Sequence, residues 1–313
     1  MEPLFLNPVM HEKIWGGNRL KTYYNYNIPS EKTGECWAIS AHPSGITTVL
    51  NGQYKGRGLD DLYQNEKHLF GNPSNTTFPL LTKILDANDW LSVQVHPDDS
   101  YSWIHEGELG KTECWYILEA DEGAEIIYGH NAQSKEELRQ LIQTGNWEQL
   151  LTRVPVKKSD FFFVPSGTMH AIGKGIMILE TQQSSDTTYR IYDFDRRDEA
   201  GNLRDLHIEK SIDVLTIGSV TNSTPAHLKL DNLDSILLVA NPFFTIYKWE
   251  IEHEVKMKQT TPYLLVSVIE GHGAIQVGDT NYPLEKGGHF ILPADVTEWT
   301  FTGKLELIAS HPN

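Results

Sequence analysis

Short runs of β-branched and aromatic residues, separated by Gly, Pro, Asn and Asp, make up most of the chain: ITTVL, WLSVQV, CWYIL, AEIIYG, FFFVP, IMILET, FFTIYKWEI, YLLVSVIEG, GAIQVG, FILP and LELIAS. Branched and aromatic side chains suit a half-buried pleated surface and the intervening residues suit tight turns, so the pattern predicts an all-β sandwich or barrel. Helical spacing is confined to a few places. In SKEELRQLIQTGNWEQLL, Ser134 and Glu137 form a capping box, and Leu138, Leu141 and Ile142 recur at helical spacing. This segment lies between two strand runs and so predicts a helical insertion near residues 131–152. A second helix is predicted within LHIEKSIDVL, residues 206–215.

Residues 195–235, with DRRDEAGNLRD and TNSTPAHLKLDNLD on either side of that second helix, read as a connector. The expected division is a catalytic β-barrel domain over residues 1–235 and a smaller β-domain over residues 236–313. An internal repeat supports it. KKSDFFFVPSGTMHAIGKGIMILE aligns with EKGGHFILPADVTEWTFTGKLELI at an offset of 128, pairing Phe162 with Phe290 and Pro165 with Pro293. Polar turn, apolar strand, proline, short turn and second strand recur in both, as a duplicated hairpin would produce. His170 falls opposite Glu298, and the second half has no Q-x-H. It is therefore expected to bind no metal and to serve as a degenerate scaffold.

At 313 residues and 39% hydrophobic content, the chain can bury a substantial core. The formal charge of −16 argues against a sequence-independent nucleic-acid binder, which needs a positive field. It leaves room for a small phosphorylated ligand, because exposed charge is screened beyond roughly 8–10 Å. No apolar run reaches membrane-spanning length, and the start MEPLFLNPVMHEKIWGG lacks the features of a leader, so neither membrane nor export is expected. Two cysteines, Cys36 and Cys114, are too few for a disulfide framework, and a reducing cytoplasm is the expected compartment. No obligate protein partner is expected.

In LSVQVHPDDS, strand alternation places Ser92, Gln94 and His96 on one face that should be core. Buried polar groups cost free energy unless something binds them, and a metal ion inside a barrel satisfies them. KTECWYIL puts Glu113 at the start of another strand, and FFFVPSGTMHAI puts His170 after a Pro-containing turn. Two imidazoles and a carboxylate suit one Zn²⁺ per chain with open positions for substrate, and Gln94 offers a weaker fourth ligand. Taken singly, each has a plain alternative as a turn histidine or a surface charge. Lys111 shares a strand face with Glu113 and should point into the same cavity, where with Ser92 it is a candidate to bind the substrate. Glu180 ends the apolar run IMILE, where desolvation would raise its pKa toward that of a general base. A strand-end carboxylate paired with a cation is the alternative. Trp15 in KIWGG is a candidate to cover an apolar face of the substrate, or a packing residue.

Q-x-H, a following Glu and P-x-G-x-x-H together resemble the metal-binding motifs of the cupin barrel. More specifically, FPLLTKILDANDWLSVQVHPDD, GELGKTECWYI, VPSGTMHAI and ETQQSSDTTYRIYDFDR resemble the type I mannose-6-phosphate isomerases in their shorter bacterial form. The resemblance runs over nearly the whole chain, including IWGG and LHIEKSIDVL. It implies a cupin jelly roll followed by a degenerate cupin-like domain, and interconversion of mannose 6-phosphate and fructose 6-phosphate through a cis-enediol. It implies zinc ligands at His96, Glu113 and His170, with Gln94 sometimes counted, a catalytic glutamate at Glu180 and an essential arginine at Arg190, catalytic beside Lys111 and able to clamp a phosphate or stabilise an enediolate. Two alternatives stay open on the residues alone: a non-haem iron oxygenase, whose facial triad has the same ligand types, and a non-catalytic sugar-binding cupin.

Overall fold

The computed structural model describes residues 2–198, 200–218, 220 and 224–313; residues 199, 219 and 221–223 of the expected connector lie outside the described residues. Strands hold 46% of the chain against 15% in helices, which makes it the β-dominated protein its sequence predicts. Three antiparallel sheets carry the fold. The first has six strands in the order Phe161–Val164, Glu113–Ala120, Ile176–Gln183, Leu80–Ala87, Thr33–Ile39 and Val9–Gly17. The second has five, in the order Tyr189–Tyr192, Val93–Val95, His170–Ala171, Glu125–His130 and Leu151–Pro155. These two sheets face each other, with Leu85, Trp115, Ile117 and Ile178 of one packed against Ile126, Tyr128 and Ile172 on the side of the other.

Alternation along each strand decides which way its residues look. On Glu113–Ala120, Trp115 and Ile117 point between the sheets, while Cys114, Tyr116 and Leu118 point outward. The outward set joins Cys36, Ala38, Ile84 and Leu179 against Leu238, Ile246, Leu265 and Ile308 of the third sheet. The outer face of the five-stranded sheet is covered by helices, which bring Leu138, Leu141, Ile142 and Ile212 onto Val93, Val95, Ile127 and Ile191. The predicted insertion forms as Lys135–Gln143 with Ser134 as its N-cap, its hydroxyl accepting from the Glu137 amide at 3.1 Å. It then breaks at Gly145, whose φ of 65° ends the helix, and resumes as the short helix Trp147–Leu150. The second predicted helix is Ile208–Val214.

The third sheet is built mainly on Phe244–Lys258, Glu298–Pro312 and Leu264–Val277. It also recruits Leu4–Asn7, which pairs with His289–Leu292 through Leu4 opposite Ile291 and Phe5 opposite Phe290. The expected boundary at 235 falls inside the strand Leu233–Ala240, which belongs to this sheet. The repeated hairpin is present in both places, Phe161–Val164 leading into Pro165 and His289–Leu292 into Pro293. Glu298, the counterpart of His170, is exposed and paired with Lys256 at 3.1 Å. Among the described residues no helix is long and apolar enough to cross a membrane.

Leu4 is 2% exposed and sits in the core shared by the first and third sheets. Leu4→Ala is expected to cost about 2–5 kcal/mol, read as a lower urea midpoint at unchanged m-value.

Candidate active site

Two cross-strand rows furnish one cavity. On the six-stranded sheet Trp37 lies opposite Lys83, Lys83 opposite Glu180, and Glu180 opposite Trp115. On the five-stranded sheet Arg190 lies opposite Gln94 and Gln94 opposite His170. Directly paired residues project from the same face, so both rows look into the space between the sheets. There Lys83, Glu180, Trp115, Arg190, Gln94 and His170 line a cavity of about 270 Å³ that also takes in Trp15, Ser92, Lys111, Glu113, Arg204 and His207.

His96, Glu113 and His170 converge at its inner end, with one donor atom from each lying within 4.8 Å of the others. All three are 1% exposed. His96 Nε2 is 3.4 Å from one Glu113 oxygen and His170 Nε2 is 3.5 Å from the other. Each ring turns its Nδ1 to a backbone carbonyl at 2.9 Å, Thr187 for His96 and Thr168 for His170. A carbonyl only accepts, so each Nδ1 carries the proton and each Nε2 lone pair faces the cluster. Burial, reinforced for His96 by Lys111, pushes both imidazoles down, His96 to about 3, and so keeps them neutral. Neutral nitrogens beside a carboxylate are the donor set a divalent cation needs, and the residues fit a metal.

Lys111 donates to Glu113 and lies 3.0 Å from His96 Nε2. Burial disfavours its charge, but the carboxylates of Glu113 and Glu180 hold it above the usual lysine range. Glu113 is held well below the usual carboxylate range against the cost of its burial, chiefly by the Lys111 ammonium. Glu180, 3% exposed, is pushed the other way, up to about 7, by burial and by the Glu113 carboxylate. The Trp115 indole N–H is shared between them, 2.9 Å from Glu113 and 3.1 Å from Glu180. Two carboxylates whose environments drive them apart take opposite proton roles. Gln94 places its amide nitrogen 3.3 Å from His170 Nε2 while its oxygen accepts from Ser92 at 3.0 Å. A half-turn of that amide would offer the oxygen to the cluster instead.

Towards the mouth stand residues that the sequence reading did not single out. Lys83, 3% exposed, lies 4.0 Å from Glu35 and 4.5 Å over the Trp37 ring. Its signal was there in LLTKILDA, a lone cation inside an apolar strand. Glu35, in GECWAIS, repeats the geometry of Glu113 in TECWYI by accepting from the indole two residues on, at 2.7 Å. Arg204 is fixed by two hydrogen bonds to Asp193. Arg190 donates to the Asp205 carbonyl at 2.9 Å, and its buried Nε has no protein partner. His207 uses Nδ1 to accept from the Arg190 amide at 3.1 Å. His207 falls in LHIEKSIDVL and Arg204 in DRRDEAGNLRD, but neither segment marks a cavity residue, since both reach the cavity only by packing back beside Arg190 and Asp193.

The model of the phosphomannose isomerase type I catalytic domain matches residues 4–123, and that of the mannose-6-phosphate isomerase cupin domain matches residues 235–312. The chain is 67% identical to the mannose-6-phosphate isomerase of Streptococcus mutans, over 100% of this chain and 99% of that protein. The chain belongs to the type I mannose-6-phosphate isomerases. It is 53% identical to mannose-6-phosphate isomerase ManA of Bacillus subtilis, over 99% of both chains. The crystal structure of a Bacillus subtilis mannose 6-phosphate isomerase superposes with a TM-score of 0.97 at 49% identity, covering 99% of this chain and 100% of that one. Phosphomannose isomerase from Salmonella typhimurium shares the fold, with a TM-score of 0.82 at 16% identity over the full length of both. The chain is thus an isomerase of the cupin class, and neither the oxygenase nor the non-catalytic reading finds support.

Glu35 supplies a pH test of the charge network. Burial would raise its pKa, but Lys83 and Lys13 bring it down to about 2 from 4.5. A depressed carboxylate contributes stability above its unfolded pKa and loses it as pH falls toward the folded value. Glu35→Gln is expected to be less stable by about 3–5 kcal/mol at pH 7, with the gap to wild type narrowing below pH 4.5, as read from urea melts across pH.

Proposed function

We propose that this isomerase interconverts mannose 6-phosphate and fructose 6-phosphate with Glu180 as the base, Zn²⁺ held by His96, Glu113 and His170, and the phosphate received by Arg190 and Arg204. The single observation that carries the assignment is the buried Glu180 carboxylate, raised to about 7, facing the metal-ligating Glu113 through a shared indole and 4.0 Å from Lys111.

A bound zinc ion supplies Lewis-acid polarisation of the substrate oxygens at C1 and C2. Glu180 takes the proton from C2 and returns it to C1 through the cis-enediol, a single residue serving both steps because the two carbons are adjacent. Its raised pKa lets it exchange a proton near neutral pH while Glu113 stays ionised. Lys111 lies between Glu113 and Glu180, so we assign its ammonium to the developing oxyanion rather than to the phosphate. Ser92 orients the Gln94 amide, which stands beside His170 as a candidate fourth ligand, and Trp15, 4% exposed, walls the apolar side of the sugar.

The phosphate end follows from charge. Arg190 and Arg204 line the same cavity, and the nearness of Arg204 helps push Arg190 below its usual pKa. Two guanidiniums held together by the fold gain most from a doubly charged anion between them. A cytoplasmic setting accords with this substrate class and with the free, buried thiols of Cys36 and Cys114.

In a coupled assay with mannose 6-phosphate, Glu180→Gln is expected to lower kcat by about 10²–10⁴-fold with bound zinc unchanged, and full turnover would refute the base assignment. Arg204→Ala is expected to raise KM about tenfold or more with little change in metal content; an unchanged KM would place the phosphate elsewhere. Chelation should abolish turnover and added Zn²⁺ restore it, whereas an iron-loaded protein consuming oxygen would overturn the isomerase mechanism.

A further inference from the structure

Glu108 belongs to none of the groups described above. It lies three residues before Lys111, and its side chain is 29% exposed. One carboxylate oxygen accepts from the Thr187 hydroxyl and, at 3.2 Å, from the Ser185 hydroxyl. The other faces His42 Nε2 at 3.4 Å. His42 Nδ1 accepts from the Ser44 amide at 3.2 Å, which puts the ring proton on Nε2, toward Glu108. Burial would raise the Glu108 pKa, but His42, Thr187 and Ser185 together hold it below the usual range, so it is ionised. One exposed-edge carboxylate therefore ties the approach to Lys111 and Glu113, the turn at 185–187 and the chain leaving Thr33–Ile39.

The turn at 185–187 matters because the Thr187 carbonyl is the acceptor that holds the His96 ring by Nδ1 at 2.9 Å. Thr187 is thus gripped at its hydroxyl by Glu108 and in turn orients His96 through its backbone. We propose that Glu108 is a positioning residue for the metal centre, fixing through Thr187 the tautomer and angle with which His96 presents Nε2. Partners one bond removed from a metal ligand govern affinity as well as rate, typically by about 10–100-fold. Ser185, hydrogen-bonded to the same carboxylate, bears against the same turn. This rests on His96 being a ligand.

The test measures zinc affinity by chelator competition on the full-length protein alongside kcat, KM and the melting temperature. Glu108→Ala is expected to weaken zinc binding about tenfold or more and to lower kcat with KM nearly unchanged. Glu108→Gln keeps a carbonyl oxygen for both hydroxyls but turns its amide toward the His42 N–H, and its loss of zinc affinity should be clearly smaller than that of Glu108→Ala. Thr187→Val, which loses the hydroxyl but keeps the carbonyl, should match Glu108→Ala, and the double variant should be no worse than either single one. Unchanged zinc affinity in Glu108→Ala, with only a lower melting temperature, would overturn the proposal, as would a Glu108→Gln loss equal to that of alanine. A His96→Ala variant that kept wild-type zinc affinity would overturn the ligand assignment, and the inference with it.

Discussion

Burying charge in the interior of a β-barrel governs this structure. Glu35, Lys83, Lys111, Glu113 and Glu180 are all less than 10% exposed and all lie on or beside one sheet. An isolated ion at such depth is costly, and an ion with a hydrogen-bonded counter-ion is tolerated. The result is a lattice of opposite charges: Glu35 with Lys83 and Lys13, and Glu113 with Lys111. Glu180 is the member whose surroundings favour the proton, since its strongest charged neighbour is another carboxylate. The raised pKa of Glu180 and the neutrality of His96 thus have one origin, the burial of both groups in the space between two sheets.

The same alternation that sends these charges inward sends apolar residues outward. On Thr33–Ile39 and Glu113–Ala120, a glutamate and a tryptophan face the cavity while Cys36 and Cys114 face the third sheet. The C-terminal domain provides the packed surface that keeps those strands flat against their backs, so that the polar fronts stay in register. By packing against their backs, this sheet also sets where Lys83, Glu180 and Trp115 stand relative to one another.

Much of this was readable before any coordinates. Strand runs such as CWYIL and IMILET carry their period in the side chains, and His96, Glu113 and His170 sit in motifs whose spacing is local to a strand or turn. The strands Thr33–Ile39 and Leu80–Ala87 gave weaker signals, because Gly34 and Lys83 interrupt their apolar pattern. The sheet membership of Leu4–Asn7 is a pairing across most of the chain, and no local pattern encodes it. Arg204, His207 and Glu108 were illegible for the same reason: each acts through a partner brought near by a return of the chain.

The pairing of Phe5 with Phe290 has a bearing on biosynthesis. Loop-closure entropy and contact order make such a distant match slow to form, and during translation the partner strand is made long after Leu4–Asn7. The strand Leu4–Asn7 therefore leaves the ribosome with an unsatisfied edge and keeps it until His289–Leu292 has been made. A prematurely terminated product would carry that edge permanently, offering chaperones and proteases a mark by which to sort it from finished enzyme.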